Sequence, residues 1–192
     1  MDSIPRRSRV SQAIGRQFLH RMGWTLIGEF PSVPKAVFIA SPHTSNKDGI
    51  IMLATAMAMG AKLSWMGKDS LFRFPFGLPM KMLGGVSIDR SVKSDTVRQI
   101  ADEFASRPSM FLAIAPSATR SKRDYWKSGF YHIALEAKVP LICGCVDYGR
   151  KEAGIIGMVE PTGDVVADMD KIRAIYQGRE GRHPERMSRV RL

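Results

Sequence analysis

Short apolar runs alternate along the chain with segments of helical periodicity, and this alternation limits the possible folds. The clearest run, 36–40, reads Ala-Val-Phe-Ile-Ala, which is typical of a strand buried on both faces of a parallel sheet. Further strands are predicted at 62–65, 110–115, 140–146 and 154–159, and 84–89 is predicted to be a turn that leads into a strand. Helices are predicted at 49–59, 94–106, 127–138 and 168–177. The alternation predicts an α/β fold, with a mainly parallel sheet and helices on both faces.

The N-terminal segment, 1–30, is basic and amphipathic. Apolar residues recur in it at helical spacing, with arginines between them, and predict a helix over 8–22: Val10, Ile14, Phe18 and Met22. Such a helix either packs on the domain or lies on a bilayer. The chain of 192 residues has the length of one domain and shows no linker or internal repeat, so a single domain over 1–192 is expected.

The formal net charge of +11 favours an anionic partner, such as nucleic acid, an anionic membrane surface or a phosphorylated substrate. Arginines crowd both ends of the chain: Arg6, Arg7, Arg9, Arg16 and Arg21 at one end, and Arg179, Arg182, Arg186, Arg189 and Arg191 at the other. Two interpretations stay open, solvated basic tails or contact with a membrane. Because no nucleic-acid-binding signature accompanies the charge, nucleic acid is not expected as a partner.

Other classes of protein are disfavoured by what the sequence lacks. The longest apolar stretch, 49–61, is shorter than the about 20 residues that span a bilayer, and 1–22 lacks the apolar core of a secretory signal. We therefore expect a cytoplasmic protein, soluble or peripheral on the inner face of the cell membrane. Cys143 and Cys145 are spaced C-x-C, unlike a redox motif or zinc half-site, and are predicted to be buried core residues. Neither a metal site nor a cofactor is predicted.

His43 and Asp48 form the first candidate site. The histidine follows the predicted strand 36–40, in the kind of loop where open α/β sheets bind ligands. Asp48 opens the next helix, so a tight turn can bring its carboxylate to the imidazole, which fixes the tautomer and raises the basicity of the other ring nitrogen. A general base that takes a proton from an alcohol needs this arrangement. Taken alone, the spacing also fits a helix-capping aspartate beside a surface histidine.

Arg90 and Arg120 each lie just beyond a predicted strand. A guanidinium group at such a position can hold a phosphate through two parallel hydrogen bonds, although Arg90 equally suits a surface pair with Asp89. Three strand ends thus contribute a base and two arginines to one rim of the sheet. This combination predicts a site for an anionic substrate that bears a hydroxyl group.

Taken together, these blocks resemble the glycerolipid acyltransferase family, whose best-known member is 1-acylglycerol-3-phosphate acyltransferase. The resemblance runs from about 34 to 146 and is similar to a short bacterial branch. Four blocks match in order: His43 to Asp48 the catalytic H-x4-D motif, 85–90 the second block, 115–120 the place of P-E-G-T-R, and Val139-Pro140 the fourth.

The resemblance implies an O-acyltransferase that needs no cofactor beyond its acyl thioester, from coenzyme A or acyl carrier protein. His43 would deprotonate the acceptor hydroxyl while Asp48 holds its tautomer, and the alkoxide would attack the thioester without a covalent acyl-enzyme. Arg90 and Arg120 would hold the phosphate of a glycerolipid-like acceptor. Backbone amides near the helix start after His43 would stabilise the oxyanion. Segments 49–59 and 72–82 would line an acyl channel, or are ordinary core.

One block departs from the family: Ser117 and Ala118 stand where it has Glu-Gly. The resemblance still implies that Ser117, Ala118, Thr119 and Arg120 bind the acceptor. Serine can hydrogen-bond a hydroxyl but brings no charge, and alanine is expected to block a backbone conformation with positive φ. Three interpretations remain open: an altered acceptor, a weakened enzyme that binds acyl chains or anionic lipid, or an engineered sequence.

Overall fold

The computed structural model describes residues 7–68, 72–74, 77–82, 84–88 and 95–192. The strands in this part of the chain are β1 (Thr25–Ile27), β2 (Lys35–Ala40), β3 (Leu63–Lys68), β4 (Gly85–Ile88), β5 (Met110–Ile114), β6 (Leu141–Asp147) and β7 (Glu152–Val159). The helices are α1 (Arg9–Arg21), α2 (Asn46–Met59), α3 (Gly77–Met82), α4 (Asp95–Ser106), α5 (Gly129–Glu136) and α6 (Val165–Tyr176), with a 3-10 turn at Pro184–Arg186.

The strands form one sheet in the order β1-β7-β6-β2-β5-β3-β4. All neighbouring pairs are parallel except β6 and β7, which form an antiparallel hairpin. β2 lies at the centre, with Ala36 opposite Phe111 of β5 and Phe38 opposite Ile142 of β6. Because β2 and β5 run in the same direction, the loops that follow them leave the sheet at the same edge.

Helices cover both faces of the sheet, which confirms the predicted α/β fold. Val37 and Ile39 of β2 belong to a core cluster that includes residues of α4, α5 and α6. Ala36 and Phe38 point to the opposite face, where they cluster with Phe111. On that side α2 packs against β6 and β7, and α1 packs on α2. The alternation along β2 follows from the two-residue period of a strand.

The N-terminal helix is confirmed, and it uses one face for packing while another stays exposed. Gly15 lies so close to α2 that a Cβ atom there would be 2.5 Å from the Ala58 nitrogen. Leu19, one turn further along, is also buried. The apolar residues that predicted the helix remain exposed over 37–69% of their surface: Val10, Ile14, Phe18 and Met22.

The structure differs from the predicted elements at the short strand β1, at the start of α6 and at the hairpin of β6 and β7. β1 has only three residues, too few for a periodic signal, and was missed. The last helix begins at Val165 rather than at Asp168, since Asp164 caps it by accepting a hydrogen bond from the Ala167 amide at 3.0 Å. The pairing of β7 with β6 is antiparallel because the turn at 148–151 reverses the chain directly.

The fold also bears on the predicted burial of the two cysteines and on whether a helix spans a membrane. Cys143 and Cys145 are both buried free cysteines of β6, as predicted, and burial raises the pKa of each thiol to about 12. Among the described residues, no helix is both long and apolar enough to cross a membrane.

Candidate active site

The loop between β2 and α2 positions His43 and Asp48. Ser45 precedes the helix and Asp48 occupies its third position, so that the two residues form a capping box. The Asp48 Oδ2 atom accepts hydrogen bonds from the amides of Thr44 at 2.6 Å and Ser45 at 2.8 Å, while Ser45 Oγ donates to Oδ1 at 2.7 Å. These bonds turn the carboxylate back over the loop that carries His43.

The His43 imidazole and the Asp48 carboxylate are in contact. His43 Nδ1 lies 3.7 Å from Asp48 Oδ2, longer than a hydrogen bond, and among the described residues this nitrogen has no hydrogen-bond partner. The Asp48 side chain is only 1% exposed, whereas that of His43 is 25% exposed. Asp48 therefore both caps α2 and contacts His43. Because Nδ1 of His43 faces Asp48, Nε2 is the ring nitrogen that can accept a proton from a substrate.

Burial keeps His43 unprotonated at neutral pH. Loss of hydration lowers the pKa of His43 below its ordinary value, because a partly buried imidazolium is poorly solvated. The Asp48 carboxylate acts in the opposite direction and raises this pKa, while the positive charge of Arg120 lowers it further. The net pKa shift is downward, and it favours the form that can accept a proton.

Tyr148, which sequence reasoning missed, contacts the same carboxylate. Its hydroxyl donates a hydrogen bond to Asp48 Oδ1 at 3.0 Å from the turn between β6 and β7. Burial and the nearby Asp48 charge raise the pKa of the Tyr148 phenol, so the hydroxyl keeps its proton. The two residues are 100 positions apart, and no local sequence pattern signals their contact.

Arg120 reaches the same rim as His43. Its guanidinium donates a hydrogen bond to Asn46 Oδ1 at the first position of α2, and both side chains are exposed. The turn after β5 thus brings a cation to the loop after β2, as the order of the strand ends predicted. Arg90, the other predicted arginine, lies outside the described residues.

The remaining residues of the third block divide between two sites. Ser117 lines the pocket beside His43, and its hydroxyl donates to the Thr119 carbonyl at 2.8 Å. Ala118 lines a different cavity, next to Met66 and Phe130. The expectation that alanine would block positive φ was wrong, because Ala118 has a φ of 52° in a turn closed by its amide and the Ala115 carbonyl.

The amides predicted to stabilise an oxyanion have other partners. Those of Thr44 and Ser45 donate to Asp48, and that of Lys47 donates to Ser45 Oγ at 3.2 Å. These donors therefore hold Asp48 and Ser45 in the capping box. The capping box engages these three amides, and an oxyanion site at the helix start stays a prediction.

An apolar cavity lies between α2 and the sheet. Its volume is about 40 Å³, far below the about 300–1,000 Å³ of ligand sites for small molecules. Met52, Ala56 and Met59 of α2 line it opposite Phe38 of β2. Residues of 49–59 thus line apolar space, but a cavity of this size does not hold a fatty acyl chain, so the acyl channel stays a prediction. The described residues within 72–82 do not line the cavity.

The described part of the chain contains no cluster of three or more His, Cys, Asp or Glu residues that could hold a metal ion. What the rim offers instead is a neutral imidazole, a buried carboxylate and an exposed guanidinium. Such a set can accept a proton from a hydroxyl group and attract an anionic group beside it.

Comparison with known proteins places this chain in a family. A model of the acyltransferase family matches residues 27–146, which include the loop of His43, the turn of Arg120 and all of β6 except Asp147. This chain belongs to the acyltransferase family, and it is an acyltransferase. The family predicted from the four sequence blocks is thereby confirmed.

The fold is similar to that of a solved enzyme. The crystal structure of the 1-acyl-sn-glycerophosphate (LPA) acyltransferase PlsC from Thermotoga maritima aligns with a TM-score of 0.54 and 17% sequence identity. The alignment covers 91% of this chain and 81% of that one. At this identity the likeness shows a shared fold. None of the curated proteins compared with the sequence matches it.

Proposed function

We propose that this acyltransferase moves a fatty acyl group from a thioester of coenzyme A or acyl carrier protein to a hydroxyl of a phosphorylated, glycerolipid-like acceptor. The observation that carries the proposal is the contact of His43 with a buried carboxylate, on the same rim as the cation of Arg120. The family and the PlsC-like fold support the same class of acceptor.

In the proposed reaction His43 Nε2 takes the proton of the acceptor hydroxyl as its oxygen attacks the thioester carbonyl. A carbon–oxygen bond forms, and the tetrahedral intermediate expels the thiolate as the carbon–sulfur bond breaks. The His43 imidazolium then protonates the thiolate, so the base is regenerated without a covalent acyl-enzyme. Asp48 faces Nδ1, and its negative charge stabilises the imidazolium. Arg120 attracts the acceptor phosphate.

Replacing the proposed base tests this mechanism. In His43→Ala, release of the thiol from acyl-CoA with lysophosphatidate as acceptor should fall by about 10²–10⁴-fold, the usual contribution of a proton-transferring group. His132→Ala removes an exposed histidine of α5 and is the matched control. Near wild-type release by a folded His43→Ala protein would show that another group acts as the base.

The Ser117-Ala118 departure favours a second candidate, a weakened enzyme that mainly binds acyl chains or anionic lipid. Such a protein would hold the acyl chain or the lipid without turnover. The thiol-release assay separates the candidates, since sustained release that depends on lysophosphatidate excludes a pure binder. Binding of acyl-CoA without release supports it.

The substrate of the proposed reaction resides in a membrane, and α1 carries a surface suited to one. Its exposed apolar residues Val10, Ile14 and Phe18 accompany the exposed arginines Arg9 and Arg16. Exposed apolar side chains also occur on α2, at Ile50 and Leu53, close to the capping box. An amphipathic helix with this composition binds at an anionic lipid interface. We therefore propose peripheral binding to the anionic inner face of the cell membrane.

A further inference from the structure

Tyr148 is held firmly in the place from which it reaches Asp48. Its amide donates to the Glu180 carbonyl at 2.8 Å, and its ring packs edge-to-face on Trp24, with the ring centroids 4.9 Å apart. The Lys151 ammonium lies 5.5 Å from the centre of the same ring. The hydroxyl is therefore presented to Asp48 by a fixed aromatic ring rather than by a mobile side chain.

The hydrogen bond from Tyr148 differs in origin from the other three that Asp48 accepts within the described residues. Those three come from Thr44 and Ser45, which lie in the same loop and move with Asp48. Tyr148 lies in the hairpin of β6 and β7, 100 residues further along the chain than Asp48. It thus ties the carboxylate to the sheet.

The same bond affects charge. A hydroxyl dipole that points its positive end at Oδ1 weakens the negative potential that Asp48 exerts on the imidazole 3.7 Å away. It also fixes the plane of the carboxylate, so that Oδ2 stays turned toward Nδ1 of His43. A shared, oriented carboxylate is what gives a general base its tautomer.

We infer that Tyr148 is a positioning residue of the reaction, which sets the orientation and the proton affinity of His43 through Asp48. This inference rests on the proposed role of His43 as the base. Tyr148 is not assigned contact with the substrate.

Other charged side chains lie near His43 and Tyr148, and they stay in place when Tyr148 loses its hydroxyl. Arg120 acts on His43 from the turn after β5, and Arg179 lines the pocket beside it. Arg182 acts on Tyr148 from the C-terminal segment, and Lys151 lies over its ring. A change in Tyr148→Phe is therefore attributable to the hydrogen bond with Asp48.

Tyr148→Phe removes only the hydroxyl and keeps the ring packing on Trp24. We expect kcat to fall by about 10–100-fold, the worth of one hydrogen bond to a charged group if it is fully realised in the transition state. Without the hydroxyl dipole, Asp48 attracts the imidazolium more strongly, and the pKa of His43 rises. The acid-side fall of kcat/KM should therefore move to higher pH.

Tyr131→Phe is the matched control. Tyr131 also donates a hydrogen bond to a buried carboxylate, Asp168 at 2.9 Å, but it does not line the pocket beside His43. We expect it to lower the melting temperature without moving the pH profile. If both variants lose activity only in proportion to lost stability, with unchanged pH profiles, the inference is overturned.

A double-mutant cycle with Asp48→Asn locates the effect. If Tyr148 acts through Asp48, Tyr148→Phe causes little further loss of kcat in the Asp48→Asn background, whereas additive losses contradict the inference. Titration of the His43 ring by NMR gives a readout that does not depend on turnover. A raised His43 pKa in Tyr148→Phe supports the coupling of Tyr148 to His43, even if His43→Ala shows that His43 is not the base. An unchanged His43 pKa rejects that coupling.

Discussion

Replacing Ala118 by glycine should stabilise the protein while leaving its catalysis nearly unchanged. Ala118 has a φ of 52°, in the left-handed region where a Cβ atom costs about 1–2 kcal/mol. Glycine removes that cost but gives back about 0.4–1 kcal/mol, because it makes the unfolded chain more flexible. The balance is a gain of about 0.5–1 kcal/mol, or about 1–4 °C in melting temperature for a chain of this size.

Thermal unfolding measured by circular dichroism, beside the thiol-release assay, tests this prediction. Lys138 has the same φ of 52° just after α5, so Lys138→Gly is a matched control for the relief of backbone strain. Ala118 lines a cavity other than the pocket of His43, so turnover in Ala118→Gly should stay within about twofold of wild type. A higher melting temperature in Lys138→Gly but not in Ala118→Gly would refute the assignment of strain to Ala118.

Two further predictions concern the charges and the apolar surface. Arg120→Gln removes a cation that lowers the pKa of His43, so this pKa rises and activity is lost from a higher pH as the solution is acidified. The KM for lysophosphatidate should also increase about tenfold or more, while Arg123→Gln, in the same turn, should change neither property. Replacing Val10, Ile14 and Phe18 together by serine should reduce sedimentation with anionic vesicles and lower the melting temperature only slightly, because Val10 and Ile14 are more than half exposed and Phe18 is exposed over 37% of its surface. Equal sedimentation of that variant and of the wild type would show that these residues of α1 do not bind the membrane.

Much of the fold and half of the candidate site follow from local patterns. The buried run of β2 and the helical spacing of α1 predicted those elements to within a residue or two. His43 and Asp48 lie in contact because only four residues and a helix start separate them, so the chain has little freedom to hold them apart. Arg120 reached the same edge because β2 and β5 are parallel neighbours.

Contacts between distant segments were decided by the tertiary structure. The bond of Tyr148 to Asp48 exists because the hairpin of β6 and β7 folds back beside α2, and nothing in either segment indicates it. The exposure of Val10 and Ile14 depends on which face of α1 meets α2, and Gly15 decides that by allowing close approach. Periodicity records which residues share a face, but only the packed chain determines which face is covered and which side chains meet across it.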